Sequence, residues 1–412
     1  MMQESAIALG INLRALVEAE DGSTGQVTVD KSVGEPGSWE AVAALIEGAD
    51  VLTFEHEHVP DPVLRQASRR VSVQPPADAL RYAQDKLAMR ERLGAMGVPC
   101  PAWARVDDEA ALEEFGARVG WPLVVKTPRG GYDGHGVAVA HASSDVASWW
   151  GHGPLLAEAW VPFRCEVAAL LARTPSGRIE SWPVASTVQR GGVCSEVTAP
   201  AVGIRPETAR EARRIGETIA SELGVTGVLA VEMFVVGEGA DERILVNELA
   251  MRPHNTGHWT IDGAVTSQFE QHLRAVLDLP LGSGEMRDPA THAVMVNLLG
   301  GQAPPPPDGL ARALAFEPAA RIHLYGKDWR PGRKLGHVNL VLPGDPDQAP
   351  DPREVELLRE RARAVVALLR GDPAPPAEAA GAERRGRAEQ PVGSAGTRPG
   401  TGPHHQGRNP HE

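Results

Sequence analysis

VLAVEMFVVGEGADERILVNELAMRPHNTGHW, residues 228–259, is the stretch on which the reading of the fold turns. Val228–Phe234 and Arg243–Glu248 are short apolar runs separated by a Gly-rich turn at Gly237–Gly239, the pattern of two adjacent antiparallel strands. Each run carries one acid near its end, Glu232 and Glu248, among otherwise apolar neighbours. A carboxylate is costly to bury unpaired. If the strands are neighbours, both acids project from one face. Together with Asn247 they then offer the hard oxygen ligands that Mg2+ takes alongside phosphates. The competing reading has each glutamate paired with a surface Lys or Arg at a strand end. Immediately downstream, Asn247–Trp259 is the densest polar cluster in the chain, and strand ends are where sites are built. His254 and His258 have the i, i+4 spacing of a zinc helix, but Pro253 and Gly257 oppose a regular helix and no Glu lies between them. A loop presenting Arg252, His254 and Asn255 to a polar substrate is the better reading.

Working towards the N-terminus, Trp121–Lys126 reads as an apolar strand running into Arg129–Gly136, with a further strand at Val137–Ala140. This predicts a hairpin with a mobile tip. Gly130, Gly131, Gly134 and Gly136 let backbone amides approach phosphate oxygens without Cβ obstruction, and Lys126 at the strand end supplies a point charge for them. A plain Gly-rich turn is the alternative. The pattern is neither GxxxxGK[ST] nor a GxGxxG after a first strand. Working towards the C-terminus, Tyr325–His337 gathers Lys327, Arg330, Arg333 and Lys334 around a Pro-Gly turn, which suits either a phosphate monoester or a solvated basic turn.

The remaining chain frames these motifs. A helix over residues 1–9, a strand at Asn12–Val17, a helix at Trp39–Glu47 and a buried strand at Asp50–Phe54 imply a parallel α/β sheet from which one strand is missing. A helix is expected over Asp85–Leu93, with a domain boundary near residue 80. Pro-rich Ala303–Asp308 leads into a small C-terminal segment, and from residue 371 to 412 the composition predicts a disordered tail. The 412 residues hold 54 acidic and 41 basic side chains, a formal charge of -13, and no basic patch in the folded portion points to nucleic acid. Three cysteines without a CxxC pair argue against a disulfide framework or a structural zinc. No apolar run reaches the roughly 18 residues of a membrane span, and the first residues lack the basic start of a signal peptide. A cytoplasmic protein with small-molecule partners, and neither membrane nor nucleic acid among them, is expected.

Arg129–Gly136, Asn247–Trp259 and Arg330–His337, in this order and at these intervals, resemble the carboxyaminoimidazole ribonucleotide synthase family of the ATP-grasp superfamily from Met1 to about Arg370. The resemblance implies an α/β ATP-grasp fold. Its parts would be a truncated N-terminal parallel domain (1–80), an ATP-grasp domain (81–290) and a small C-terminal domain (291–370), in a protein commonly dimeric. It implies ATP and Mg2+ as cofactors, with aminoimidazole ribonucleotide and bicarbonate as substrates. Arg81 and Lys126 would contact phosphates, and Gly131, Tyr132, Asp133, Gly134, His135, Gly136 and Val137 would cover them. Glu158, Ala159, Trp160 and Val161 would line the adenine edge, Glu166 would bind ribose, and Gln189 would make another nucleotide contact. Glu232 and Glu248 would hold the metal with Asn247 beside them. Glu55, Arg252, His254, Asn255, Lys327, Arg333 and Lys334 would receive the ribonucleotide, the last three through its phosphate, with Lys126 and Arg252 in the catalytic set. The family's opening GGGQLG-like turn has no counterpart here, which predicts a start placed downstream of the true one. His135, Gly191 and Met251 stand where the family commonly has Arg or Lys, Asp and Pro. The alternatives are a formate-dependent glycinamide ribonucleotide transformylase and a non-catalytic nucleotide-binding protein.

Overall fold

The computed structural model describes residues 1–131, 136–287, 292–344 and 351–373. The expected tail therefore lies almost wholly outside the described residues, as do Tyr132, Asp133, Gly134 and His135 of the hairpin tip.

The chain opens with α1 (Met2–Leu9), β1 (Arg14–Val17), β2 (Asp30–Val33), α2 (Trp39–Leu45), β3 (Val51–Leu52), α3 (Asp61–Ala67), β4 (Ser72–Val73) and α4 (Ala77–Gln84). Parallel pairing is present, β1 with β2 and β3 with β4, but as two separate two-stranded sheets rather than one. The strand expected over Asp50–Phe54 is only two residues long.

α5 (Lys86–Ala95) follows. The sequence reading placed Asp85 inside this helix. It is instead the N-cap: its backbone is extended, and its carboxylate accepts from the amides of Leu87 and Ala88. That cap breaks the chain between α4 and α5. β5 (Trp103–Val106), α6 (Glu109–Val119), β6 (Leu123–Lys126), β7 (Val137–Ala140) and β8 (Leu155–Ala159) come next. Four of these elements form an antiparallel sheet in the order β5-β8-β6-β7. α6, capped by Asp108, covers it with Leu112 and Phe115.

The second sheet contains β9 (Cys165–Arg173), β10 (Ile179–Ser181), β11 (Ala185–Arg190) and β12 (Val193–Ala199). α7 (Pro206–Glu222) then leads to β13 (Gly227–Val236) and β14 (Arg243–Ala250). α7 buries Thr208, Ala212, Ile215, Gly216 and Ile219, one face of a 3.6-residue period, against β9 and β13. The chain finishes with α8 (Thr260–Gly263), α9 (Gln268–Val276), β15 (His292–Leu299), α10 (Gly309–Phe316), β16 (Arg321–Leu324), β17 (Lys334–Leu342) and α11 (Pro352–Arg370). The strand order is β14-β13-β9-β11-β12-β15-β17-β16, with β10 on β9.

The alternation of side chains along β13 sorts its residues. Leu229, Val231, Met233 and Val235 enter the largest core with α7 and the N-terminal elements, leaving Glu232 and Phe234 on the opposite face. That face, the root of the β6–β7 hairpin, the loop after β3 and the β16–β17 connection enclose one large cleft.

Candidate active site

The expected pairing is present. Glu232 of β13 stands directly opposite Glu248 of β14 in an antiparallel ladder, and both line a cleft of about 1260 Å³. The register explains why Asn247 joins them. Glu232 pairs with Glu248 but Met233 pairs with Val246, so Asn247 is an extra residue on β14. Such a bulge turns consecutive side chains towards one side, and Asn247 and Glu248 both reach the cleft. Burial, followed by the charges of Glu248 and Glu166, raises the Glu232 carboxyl to about 8. A raised carboxyl beside two further acids is the signature of a site short of positive charge.

Lys126, at the end of β6, donates to Asn247 Oδ1 at 3.2 Å and pairs with Glu158 Oε2 at 2.6 Å. It lines the same cleft, as do Gly131 and Val137 at the two roots of the hairpin. The hairpin is tied down beside α5, where Arg129 pairs with Asp85 at 3.0 Å and the Lys86 amide donates to the Pro128 carbonyl. Glu166 and Gln189 lie in the cleft across β9 and β11. Burial lifts the Glu166 carboxyl to about 7, against a backbone hydrogen bond from Gln189.

At the other end of the cleft, Arg252 Nε pairs with Glu57 Oε2 at 2.8 Å, while Glu57 Oε1 accepts from the Met251 amide at 3.2 Å. His254 Nδ1 lies 3.0 Å from Thr256 Oγ1 and accepts the Thr256 amide, so the proton of the neutral ring sits on Nε2, 3.8 Å from Glu232 Oε1. Burial, then the charges of Arg252, Lys334 and His258, hold the His254 imidazole well below its usual value. Gln268 orders the loop: its Oε1 accepts the His254 amide, and its Nε2 donates to the His254 carbonyl and meets His258 Nδ1. Gly257 makes this packing possible, since a Cβ there would lie 2.4 Å from Gln268 Oε1. Glu55, Asn255, Lys327 and Lys334 line the same cleft.

Several expected site residues sit elsewhere. Arg81 is exposed, stacks over Tyr82 and does not line the cleft, because α4 ends three residues later and turns it outward. The cation that does reach the site is Lys86, the first residue after the Asp85 cap, which pairs with Glu248 at 3.1 Å. Glu158 does not present its carboxylate to the cleft; it is buried between Arg90 and Lys126. Ala159, Trp160 and Val161 are also absent from the cleft wall, with Trp160 exposed. Gly136, between Gly131 and Val137, is likewise not on the wall. Arg333 donates to the Asp328 carbonyl within its own turn rather than into the cleft. Lys86, Arg90, Glu57 and Gln268 carry no motif and are missing from the sequence reading. The only signal for Lys86 was its place just inside a capped helix.

Among the described residues no group of three or more His, Cys, Asp or Glu side chains is arranged to hold a metal. Two carboxylates and an amide fit half of an oxygen shell, which suits a cation that phosphate oxygens complete.

Comparison with known proteins agrees with this layout. The ribonucleotide synthetase preATP-grasp domain matches residues 1–84, the ATP-grasp domain residues 91–269, and the phosphoribosylaminoimidazole carboxylase C-terminal domain residues 293–347. The N5-carboxyaminoimidazole ribonucleotide synthase of Mycobacterium tuberculosis (strain ATCC 25618 / H37Rv) is 49% identical over 350 residues, covering 83% of this chain and 80% of that protein. The same-named protein of Corynebacterium ammoniagenes is 45% identical over 358 residues, covering 85% and 86%. The crystal structure of N5-carboxyaminoimidazole ribonucleotide synthetase from Thermus thermophilus superimposes with a TM-score of 0.78 at 36% identity, covering 90% of this chain and 95% of that one. An Aspergillus clavatus N5-carboxyaminoimidazole synthase in complex with ADP and 5-aminoimidazole ribonucleotide gives 0.78 at 30% identity, covering 90% and 95%. This chain belongs to the N5-carboxyaminoimidazole ribonucleotide synthase family of ATP-grasp enzymes.

Proposed function

We propose that the protein joins bicarbonate to the exocyclic amine of 5-aminoimidazole ribonucleotide at the expense of ATP, releasing ADP and phosphate, as a step of purine biosynthesis. The observation that carries this reading is the Glu232–Glu248 pair facing Lys126 in a cleft whose far end holds Arg252, His254, Lys327 and Lys334. The cleft exceeds the few hundred to roughly 1,000 Å³ of a typical small-molecule pocket, which leaves room for a nucleotide and a second ribonucleotide together.

In the chemistry this supports, a bicarbonate oxygen attacks the γ-phosphorus of ATP and the bond to the β-bridging oxygen breaks, giving ADP and carboxyphosphate. The ribonucleotide amine then takes the carboxyl carbon, directly or from released CO2, and phosphate and a proton depart. No protein nucleophile is required. Catalysis rests on positioning and on charge placed where charge develops. Lys126 and Lys86 supply that charge at the phosphates, and Glu166 accepts from the ribose. Glu232, Glu248 and Asn247 would hold Mg2+, which would supply positive charge against the phosphate oxygens. Arg252, positioned by Glu57, and His254 meet the aminoimidazole end, while Lys327 and Lys334 hold its phosphate.

Support for a cytosolic homodimer comes from the family resemblance, and among the described residues no helix is long and apolar enough to cross a membrane. The domain junctions near residues 80 and 290 are proposed on the same resemblance. ADP release tests the reading. Turnover is expected with bicarbonate plus aminoimidazole ribonucleotide. Turnover only with formate plus glycinamide ribonucleotide would assign the transformylase, and nucleotide binding without turnover in either mixture would favour a non-catalytic protein.

A further inference from the structure

Beneath the floor of the cleft lies an arginine that none of the chemistry above uses. Arg90, on α5, is only 1% exposed and is one of the largest fully buried side chains in the protein. Its Nε meets Glu158 Oε1 at 2.5 Å, and its Nη2 donates to the Asn247 carbonyl at 2.7 Å. Glu158, on β8, spends its other oxygen on Lys126 at 2.6 Å. One buried carboxylate is therefore shared by two cations, one of which points into the site while the other is sealed from it.

The charge balance gives this arrangement a meaning. A lone Glu158–Lys126 pair would sum to zero, and a carboxylate 2.6 Å from the ammonium would cancel much of its attraction for a phosphate. With Arg90 present the triad carries a net single positive charge. Burial works against an ionised Glu158, but Lys126 and then Arg90 hold its carboxyl below the usual range, so the acid stays charged. Replacing Arg90 by a neutral residue would leave Glu158 to Lys126 alone, a pair of zero net charge in a medium that screens poorly. The second bond of Arg90 reaches the carbonyl of Asn247, the bulge residue next to Glu248 on β14, so one guanidinium is tied both to the partner of Lys126 and to the backbone beside Glu248.

We infer that Arg90 is a positioning residue of the nucleotide site, which neutralises Glu158 so that the positive charge of Lys126 remains available to the phosphates of ATP. This rests on the proposed role of Lys126 at the phosphates. Neither Arg90 nor Glu158 lines the cleft; their reach is through Lys126 and the Asn247 backbone, both away from the Arg252–Glu57 pair.

Calorimetric titration of MgADP and of MgATP, with the KM for aminoimidazole ribonucleotide alongside, separates this role from a merely structural one. Arg90→Met is expected to weaken both nucleotides at least tenfold while leaving the ribonucleotide KM within about twofold. Arg90→Gln, whose amide falls near the position of Nε against Glu158 but carries no charge, is expected to show the same nucleotide loss and covers the case in which the methionine variant does not fold. The deciding variants are the doubles, Arg90→Met/Glu158→Gln and Arg90→Gln/Glu158→Gln. Removing both charges restores the net positive charge on Lys126, so the doubles are expected to recover most of the lost affinity, whereas a structural role predicts that a second buried substitution makes matters worse. Nucleotide affinity within twofold of wild type in the single variants, or no recovery in the doubles, overturns the inference. Lys126→Ala serves as the separate control: if it leaves nucleotide affinity unchanged, the reading of Lys126 itself fails, whatever Arg90 does.

Discussion

At the scale of single residues, most of the site consists of groups whose partners fix them before any ligand arrives. Glu57 is the clearest case. One of its oxygens holds Arg252 and the other holds the Met251 amide, so the guanidinium is preset in direction. Glu57→Gln keeps the shape but loses the charge-assisted bond. It is expected to lower kcat/KM for aminoimidazole ribonucleotide about tenfold with the MgATP dissociation constant unchanged, as steady-state kinetics and calorimetry would show. Glu166 gives a pH dependence. Its folded carboxyl titrates at about 7 against an ordinary 4.5, so between these values the folded chain holds a proton that the unfolded chain has lost. Its contribution to stability is present below pH 4.5 and is lost as pH rises through 7. Melting of the ligand-free protein in a pH series should accordingly show a smaller decline between about pH 5 and 7.5 for Glu166→Gln than for wild type. At this scale the sequence was legible wherever residues come in strings: Glu232, Glu248, Lys126, Arg252, His254 and Asn255 all line the cleft. It was illegible for Lys86 and Arg90. Arg90 finds its partners 68 and 157 positions along the chain, and Lys86 finds Glu248 comparably far off, so no local pattern records either role. Arg81 and Lys86 lie on either side of a helix break, the first exposed on α4 and the second beside Glu248 at the start of α5.

At the scale of elements, the cap at Asp85 and the bulge at Asn247 do most to shape the site. The bulge was not foreseen, since alternation alone puts Asn247 and Glu248 on opposite faces, whereas the extra residue turns both to the cleft. The antiparallel pairings of β6 with β7 and of β13 with β14 follow from the Gly-rich turns and apolar runs that predicted them. The parallel N-terminal strands were legible in direction but not in extent. A second pH effect belongs here. His272 of α9 is fully buried, accepts the Val228 amide on Nδ1 at 3.1 Å and meets Thr53 Oγ1 through Nε2 at 2.7 Å, joining α9, β13 and the loop after β3. Gly227, at φ +85°, allows this approach; a Cβ there would lie 2.7 Å from the ring. Burial lowers the His272 imidazole to about 4, so the ring stays neutral in the folded state while the unfolded ring takes up a proton near 6.5. Its contribution is present above pH 6.5 and is lost as pH falls towards 4, a change of roughly 3 kcal/mol by linkage. Denaturant titrations at about pH 7 and pH 5 should show a smaller acid loss in His272→Gln than in wild type.

At the scale of the whole molecule, the two antiparallel sheets face one cleft, with Lys126 reaching it from the four-stranded sheet and Glu232, Glu248 and Glu166 from the larger one. Strands β15, β17 and β16 extend the larger sheet so that Lys327 and Lys334 reach the same space as Glu232. That convergence was legible only through the order and spacing of three motifs, since Lys126, Glu232 and Lys327 are far apart in the chain and no composition or periodicity brings them together. Turnover in the proposed reaction depends on the two opposed acids, Glu232 and Glu248, acting as the cation shelf for ATP. The direct measurement is ADP release, dependent on bicarbonate and aminoimidazole ribonucleotide, followed over a Mg2+ series at fixed ATP for wild type and Glu232→Gln. The variant is expected to need at least tenfold more Mg2+ for half-maximal rate, with kcat lowered roughly a hundredfold, about 2.7 kcal/mol of lost transition-state stabilisation. An unchanged Mg2+ dependence with near wild-type turnover in Glu232→Gln would contradict this role of the pair.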